Sequence, residues 1–159
     1  MSNAAFGAGA IALGMACALV GAIIVVLGLA GRRPRWFAEA NTLVFGMFAA
    51  SLAAFVVMER ALITRDFTVA FVAEHGSSRT PALFNFATLW SALEGSILLW
   101  TLILCGYVVA VVLKFRRQGD DPMVGWAVLT LFVVSGFFFL LMLTVATPFN
   151  TFDPQPLAD

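Results

Sequence analysis

Glu94 and Trp90 are the residues in this sequence best placed to do chemistry together. Four positions separate them, so on a helix an indole and a carboxylate would share one face. Gly95 and Ser96 follow and are small enough to let another chain or a ligand come close. The carboxylate also has a plainer use, because negative charge near a helix N-terminus is favourable by about 0.3–1 kcal/mol. Spacing alone leaves both uses open. His75 is the only histidine and stands beside Glu74 in a polar stretch. With no second histidine or cysteine near it in sequence, it defines no metal site. Cys17 and Cys105 fall in separate apolar runs, with neither a Cys-x-x-Cys pair nor zinc spacing. They read as small apolar side chains. No catalytic constellation and no metal centre is expected from these residues.

The elements that must position Glu94 are overwhelmingly apolar. Of 159 residues, 62% are hydrophobic and 11% charged, against roughly 45–50% and 25% in an average soluble domain. A soluble chain this short keeps much of its surface wet and could not hide so many apolar side chains. Lipid removes the difficulty by acting as the solvent. A bilayer core needs about 20 apolar residues as helix. Four runs meet that need, at about 6–30, 42–58, 96–113 and 123–146. The first has no basic residue before it and is far longer than the roughly 7–15 apolar residues of a signal peptide, so it reads as a retained helix. The predicted fold is an all-α membrane protein: one module over residues 1–159 with four transmembrane helices. An outer loop at 59–95 joins helices two and three, and an outer tail runs from 147 to 159.

The loops set the orientation. Arg32, Arg33 and Arg35 follow the first run, and Lys114, Arg116 and Arg117 follow the third. Basic residues in short loops stay cytoplasmic, and the two clusters agree. Both termini and the long loop are then expected on the non-cytoplasmic side. In that loop Arg60, Arg65 and Arg79 are balanced by Glu59, Asp66, Glu74 and Glu94. Net charge is zero, and no nucleic-acid partner is expected; the partner environment is membrane lipid.

Two helices have distinct compositions. Gly7, Gly14, Gly21 and Gly28 recur every seven residues in the first, with Ala10 and Ala18 near the same face. Such a stripe lets a second helix approach closely, although glycine is also common in membrane helices generally. The fourth is crowded with Phe132, Phe137, Phe138 and Phe139. An ion path would be expected to show an ionisable group within the membrane. The first, second and fourth runs have none, which argues against a transporter.

The outer loop carries further pattern. Phe67, Val69 and Phe71 alternate, Gly76, Ser77 and Ser78 interrupt, and Pro81 restarts a stretch with Phe84, Phe86 and Trp90 before the third helix. Aromatics at this level sit at the membrane–water interface, so the loop is expected against the bilayer surface or another part of the protein.

The stretch Asp66–Trp100 resembles the N-terminal region of CcmF-type proteins, membrane subunits of the haem lyase in cytochrome c maturation. The family pattern runs Asp-Phe-Ser-Val, then Val-Ala, a polar turn ending in Pro, and Trp-Gly-Gly-His-Glu-Gly-Ser-Leu-Leu-Leu-Trp. This sequence has Asp66, Phe67, Thr68 and Val69, then Val72, Ala73 and Pro81, then Trp90, Glu94, Gly95, Ser96, Leu98, Leu99 and Trp100. Thr147-Pro148-Phe149 resembles the Asn-Pro-Phe that follows the fourth helix there. Ser91, Ala92 and Leu93 stand where the family often has Gly-Gly-His, so the histidine of that motif is missing.

The resemblance covers only the first quarter or so of the family, as a split protein or a piece of a longer one would. It implies a bacterial inner-membrane protein whose outer loop faces the periplasm. The complete family protein attaches haem covalently to apocytochrome c, with haem as cofactor. The implied partners are the remainder of the lyase, a haem-delivery chaperone and apocytochrome c. The tryptophan-rich segment and the axial histidines come later in the family's chains. This chain alone is therefore expected neither to hold haem tightly nor to catalyse the attachment. Trp90, Glu94, Gly95, Ser96 and Trp100 carry over as motif positions, and Asp66, His75 and Pro81 as loop positions, without assigned roles. A non-enzymatic assembly or scaffold subunit of another membrane complex is the alternative.

Overall fold

The structure is a computed structural model that describes residues 2–31, 36–75, 92–118 and 121–151. It contains α1 (Asn3–Leu29), α2 (Trp36–Thr64), the short α3 (Ala70–His75), α4 (Leu93–Phe115) and α5 (Pro122–Thr144). All but α3 are long and apolar enough to cross a membrane, as the four apolar runs predict. Three of the long helices have a local reason to start or stop. The Ser2 hydroxyl caps α1 by accepting from Ala5 N–H. Asp121 Oδ1 accepts from Met123 N–H ahead of Pro122, whose missing N–H costs nothing in the first turn. At the end of α2, Arg65 adopts φ 54°. That turn lets Asp66 N–H reach the Ala61 carbonyl and Arg65 N–H reach that of Leu62, the paired closure of a Schellman turn made here without glycine.

The helices run further than the apolar runs predicted at most ends. The clearest case is α2, expected from 42 to 58 and found from Trp36 to Thr64. At 1.5 Å per residue its 29 residues span about 43 Å, longer than the roughly 30 Å hydrocarbon core. Glu39 therefore lies in its first turn, and Glu59 and Arg60 in its last turns rather than in the loop. The first six residues assigned to the outer loop are helical for this reason. Helix geometry continues into the interface, where side chains no longer need to be apolar.

Packing closes the four long helices into a ring, α1 on α2, α2 on α4, α4 on α5 and α5 on α1. The glycine stripe of α1 explains the tightest contacts. A Cβ on Gly14 would overlap the ring of Phe139, one on Gly21 the ring of Phe132, one on Gly7 the ring of Phe149, and one on Gly28 the indole of Trp36. Phe132 and Phe139 are also seven residues apart, so two stripes of one period mesh as antiparallel partners. In lipid, close van der Waals fit of this kind replaces hydrophobic burial as the force between helices. Two of the buried hydroxyls are met locally, with Ser51 Oγ donating to the Phe48 carbonyl (2.8 Å) and Thr101 Oγ1 to that of Ile97 (2.7 Å).

Contacts sort the bundle into two ends. Leu29, Trp36 and Gly125 meet at one end, beside the basic connections. Asn3, Asp66, Ala70, Glu94, Phe149 and Asn150 gather at the other.

Candidate functional site

The end opposite the basic connections is held together by three segments distant in sequence. Asn3 Nδ2 on α1 donates to Asp66 Oδ2 at 2.8 Å. Asp66 Oδ1 accepts from the Thr68 hydroxyl and from Thr68 N–H. Ala70 N–H, at the start of α3, donates to the Asn150 carbonyl at 2.8 Å, and Val69 pairs with Thr151 in an isolated antiparallel bridge. Val69, Phe71 and Val72 are buried in the core, so this part of the loop packs against the bundle. The tail folds back so that Phe149 fills the slot at Gly7.

Glu94 faces this cap from the second position of α4. It lines a cavity of about 100 Å3 with Ala70, Phe71, Thr147 and Asn150. Glu94, Thr147 and Asn150 are the polar residues around a space roomy enough for water. Ala92, the residue before α4, is extended and makes no side-chain cap bond. α4 therefore begins at Leu93. The remaining motif positions diverge along α4. Gly95 is buried, Ser96 is half-buried, and Trp100 is 63% exposed and points away from the bundle. Trp90 and Pro81 lie outside the described residues, as does the side chain of His75.

Asp66 is the tether of the cap rather than its reactive group. The Thr68 hydroxyl, above all, holds its carboxyl below the usual aspartate range; desolvation opposes this, and the Asn3 amide and Thr68 N–H add to the lowering. A carboxylate with a folded pKa below its unfolded value of about 3.9 stabilises the fold above that pH and loses the contribution as pH falls through the folded value. Because Asp66 is only partly buried, the effect is small. Melting measured from about pH 5 to pH 3 is expected to fall more steeply in the wild type than in Asp66→Ala. Identical profiles would show that the tether does not sense charge.

Asn3 and Asn150 carry no signal in the sequence, and Thr147 enters only through its place in the Thr147-Pro148-Phe149 resemblance. The Phe149 ring has a second signal: a glycine stripe with four members requires four large partners, and the fourth helix supplies two.

No protein-family model matches the chain. The chain is similar to the cytochrome c-type biogenesis protein CcmF of Pseudomonas fluorescens, 35% identical over 147 residues, which are 92% of this chain and 22% of that protein. It is similar to CcmF of Escherichia coli (strain K12), 31% identical over 149 residues, 94% of this chain and 23% of that one. Among solved structures it matches a cytochrome c haem lyase CcmF with a TM-score of 0.86 and 36% identity, covering 97% of this chain and 26% of the other. The chain thus spans about a quarter or less of the relatives it matches. The resemblance read on Asp66–Trp100 extends to nearly the whole sequence.

Proposed function

We propose that this chain, similar over nearly its whole length to CcmF-type cytochrome c biogenesis proteins, is the counterpart of their N-terminal portion. From that premise we propose that it supplies the first membrane bundle of a haem lyase and one wall of the site where haem is joined to apocytochrome c. The observation that carries this reading is the position of Glu94, a motif residue of that family. It lies in a cap built from three segments, at the end of the bundle opposite Lys114, Arg116 and Arg117. Basic connections held in the cytoplasm put the cap on the periplasmic face of a bacterial inner membrane, where apocytochrome c and a haem-delivery chaperone would meet it. Glu94, Gly95 and Ser96 form the approach to that wall, with Asp66 as its tether. Trp100 faces outward, toward lipid or the remainder of the lyase.

The described residues do not fit haem. The cavity at Glu94 is about 100 Å3, whereas cofactor pockets run to about 300–1,000 Å3. Its carboxylate would also repel haem propionates. The larger groove between α1 and α2 is lined by Ala, Gly, Phe and Leu and offers the iron no axial ligand. Cys17 and Cys105 are buried among the helices. The reading is therefore of a wall that receives the polypeptide substrate and shapes the site, with the iron held by sequence outside this chain. Purified alone, the chain is expected to show no stoichiometric haem absorbance after haem loading. A stoichiometric Soret band would overturn this division of labour.

A further inference from the structure

A glycine inside a helix costs about 1 kcal/mol relative to alanine, and in α1 four of them seat an aromatic ring. Gly9 does not. A Cβ built there meets nothing within 4 Å. Gly9 instead opens into a groove of about 430 Å3 between α1 and α2, lined on the facing helix by Gly46, Ala49 and Ala53, with Phe6 and Leu13 beside it. Phe6 and Leu13 are more than half exposed. Other outward faces carry bulk, among them Ile23 on α1, Ile103 on α4, and Val133 and Phe137 on α5. Bulky faces suit lipid tails, which pack equally well against alanine and give no reason for a glycine. A concave face of glycine and alanine on two adjacent helices instead lets a third backbone come close, and that close fit is how helices associate in lipid.

We propose that this groove seats an uncharged transmembrane helix supplied by the part of the haem lyase outside this chain. About three-quarters of the length of the related proteins lies outside it, long enough to supply such a helix. At the α1–α2 groove the backbone at Gly9 is open to such a helix. The inference rests on the reading of the chain as one portion of a CcmF-type lyase.

The test uses the whole lyase in native membranes. Benzoylphenylalanine is placed at Leu13, on the groove, or at Ile23, on a bulky face. Light is expected to join position 13 to a peptide from an apolar spanning helix outside this chain, and position 23 to no such peptide. Gly9→Leu grows into the groove from a position where a Cβ meets nothing within 4 Å. It is expected to lower the cross-link from position 13 at least tenfold. A cross-link only to lipid or to a second copy of this chain would overturn the proposal, as would a yield indifferent to Gly9→Leu. Dependence of cytochrome c maturation on this chain is scored in the same cells. Maturation that ignores the chain sinks the functional reading, whereas maturation that requires it, with no cross-link to a spanning helix, sinks the groove alone.

Discussion

Replacing Gly14 with leucine is expected to destabilise the bundle by about 1–3 kcal/mol, the range for an overpacked core. Two effects compete at this position. Leucine restores the roughly 1 kcal/mol of helix propensity that glycine gives up. Its Cβ, however, would overlap the ring of Phe139, which is fully buried and has no space to retreat into. The steric term is larger, so the net sign is a loss. The companion change supplies the proof of mechanism. Phe139→Ala alone opens a cavity and is also expected to destabilise. Combined with Gly14→Leu it returns volume to the same slot, so the double variant should lose less than the sum by about 0.5–3 kcal/mol. Unfolding in detergent micelles measures all four species. A Gly14→Leu variant as stable as wild type, or strict additivity, would show that the meshed stripes do not hold α1 to α5.

Glu94→Ala is the second large effect, and here magnitude separates the two uses of a carboxylate at a helix start. As a helix-start charge Glu94 is worth about 0.3–1 kcal/mol, too little to change maturation noticeably in a folded lyase. As a group that holds a charge-assisted hydrogen-bond partner across the cap cavity it is worth about 1.5–3 kcal/mol. Loss of that partner is a fall in rate on the order of tenfold or more. Holocytochrome c is therefore expected to drop about tenfold in cells whose lyase carries Glu94→Ala. Glu94→Asp, which keeps the charge, should recover part of it. Wild-type levels for Glu94→Ala would reduce the residue to its electrostatic effect on α4.

The four spans were legible because a bilayer imposes one length on apolar helices, and nothing else in a short chain needs four such runs. Their polar ends were not. Glu39, Glu59 and Arg60 look like loop residues by composition, yet they continue α2, because helix geometry outlasts the hydrocarbon. The glycine stripe could be read as a packing face, and the phenylalanines of the fourth helix as crowding. Their common seven-residue period named each as the other's partner only once α5 was seen lying against α1. Phe149 and Trp36 complete the stripe from outside any shared period.

The candidate site was legible only in part. Glu94 stood out by its position at a helix start and by resemblance. Phe71 and Thr147 entered only as parts of other patterns, and Ala70 and Asn150 not at all, because backbone hydrogen bonds and a single bridge bring the loop and tail together there. The four-residue spacing that suggested one face for Trp90 and Glu94 involves Trp90, which lies outside the described residues; α4 itself begins at Leu93, after an extended Ala92.

The central claim is that this bundle is a required portion of a haem lyase, and covalent haem on c-type cytochromes measures it most directly. In cells from which this segment alone has been deleted, with the rest of the lyase still expressed, haem-stained c-type cytochrome is expected to disappear. It should return when the 159-residue chain is supplied again. Undiminished haem staining without the segment would contradict the account.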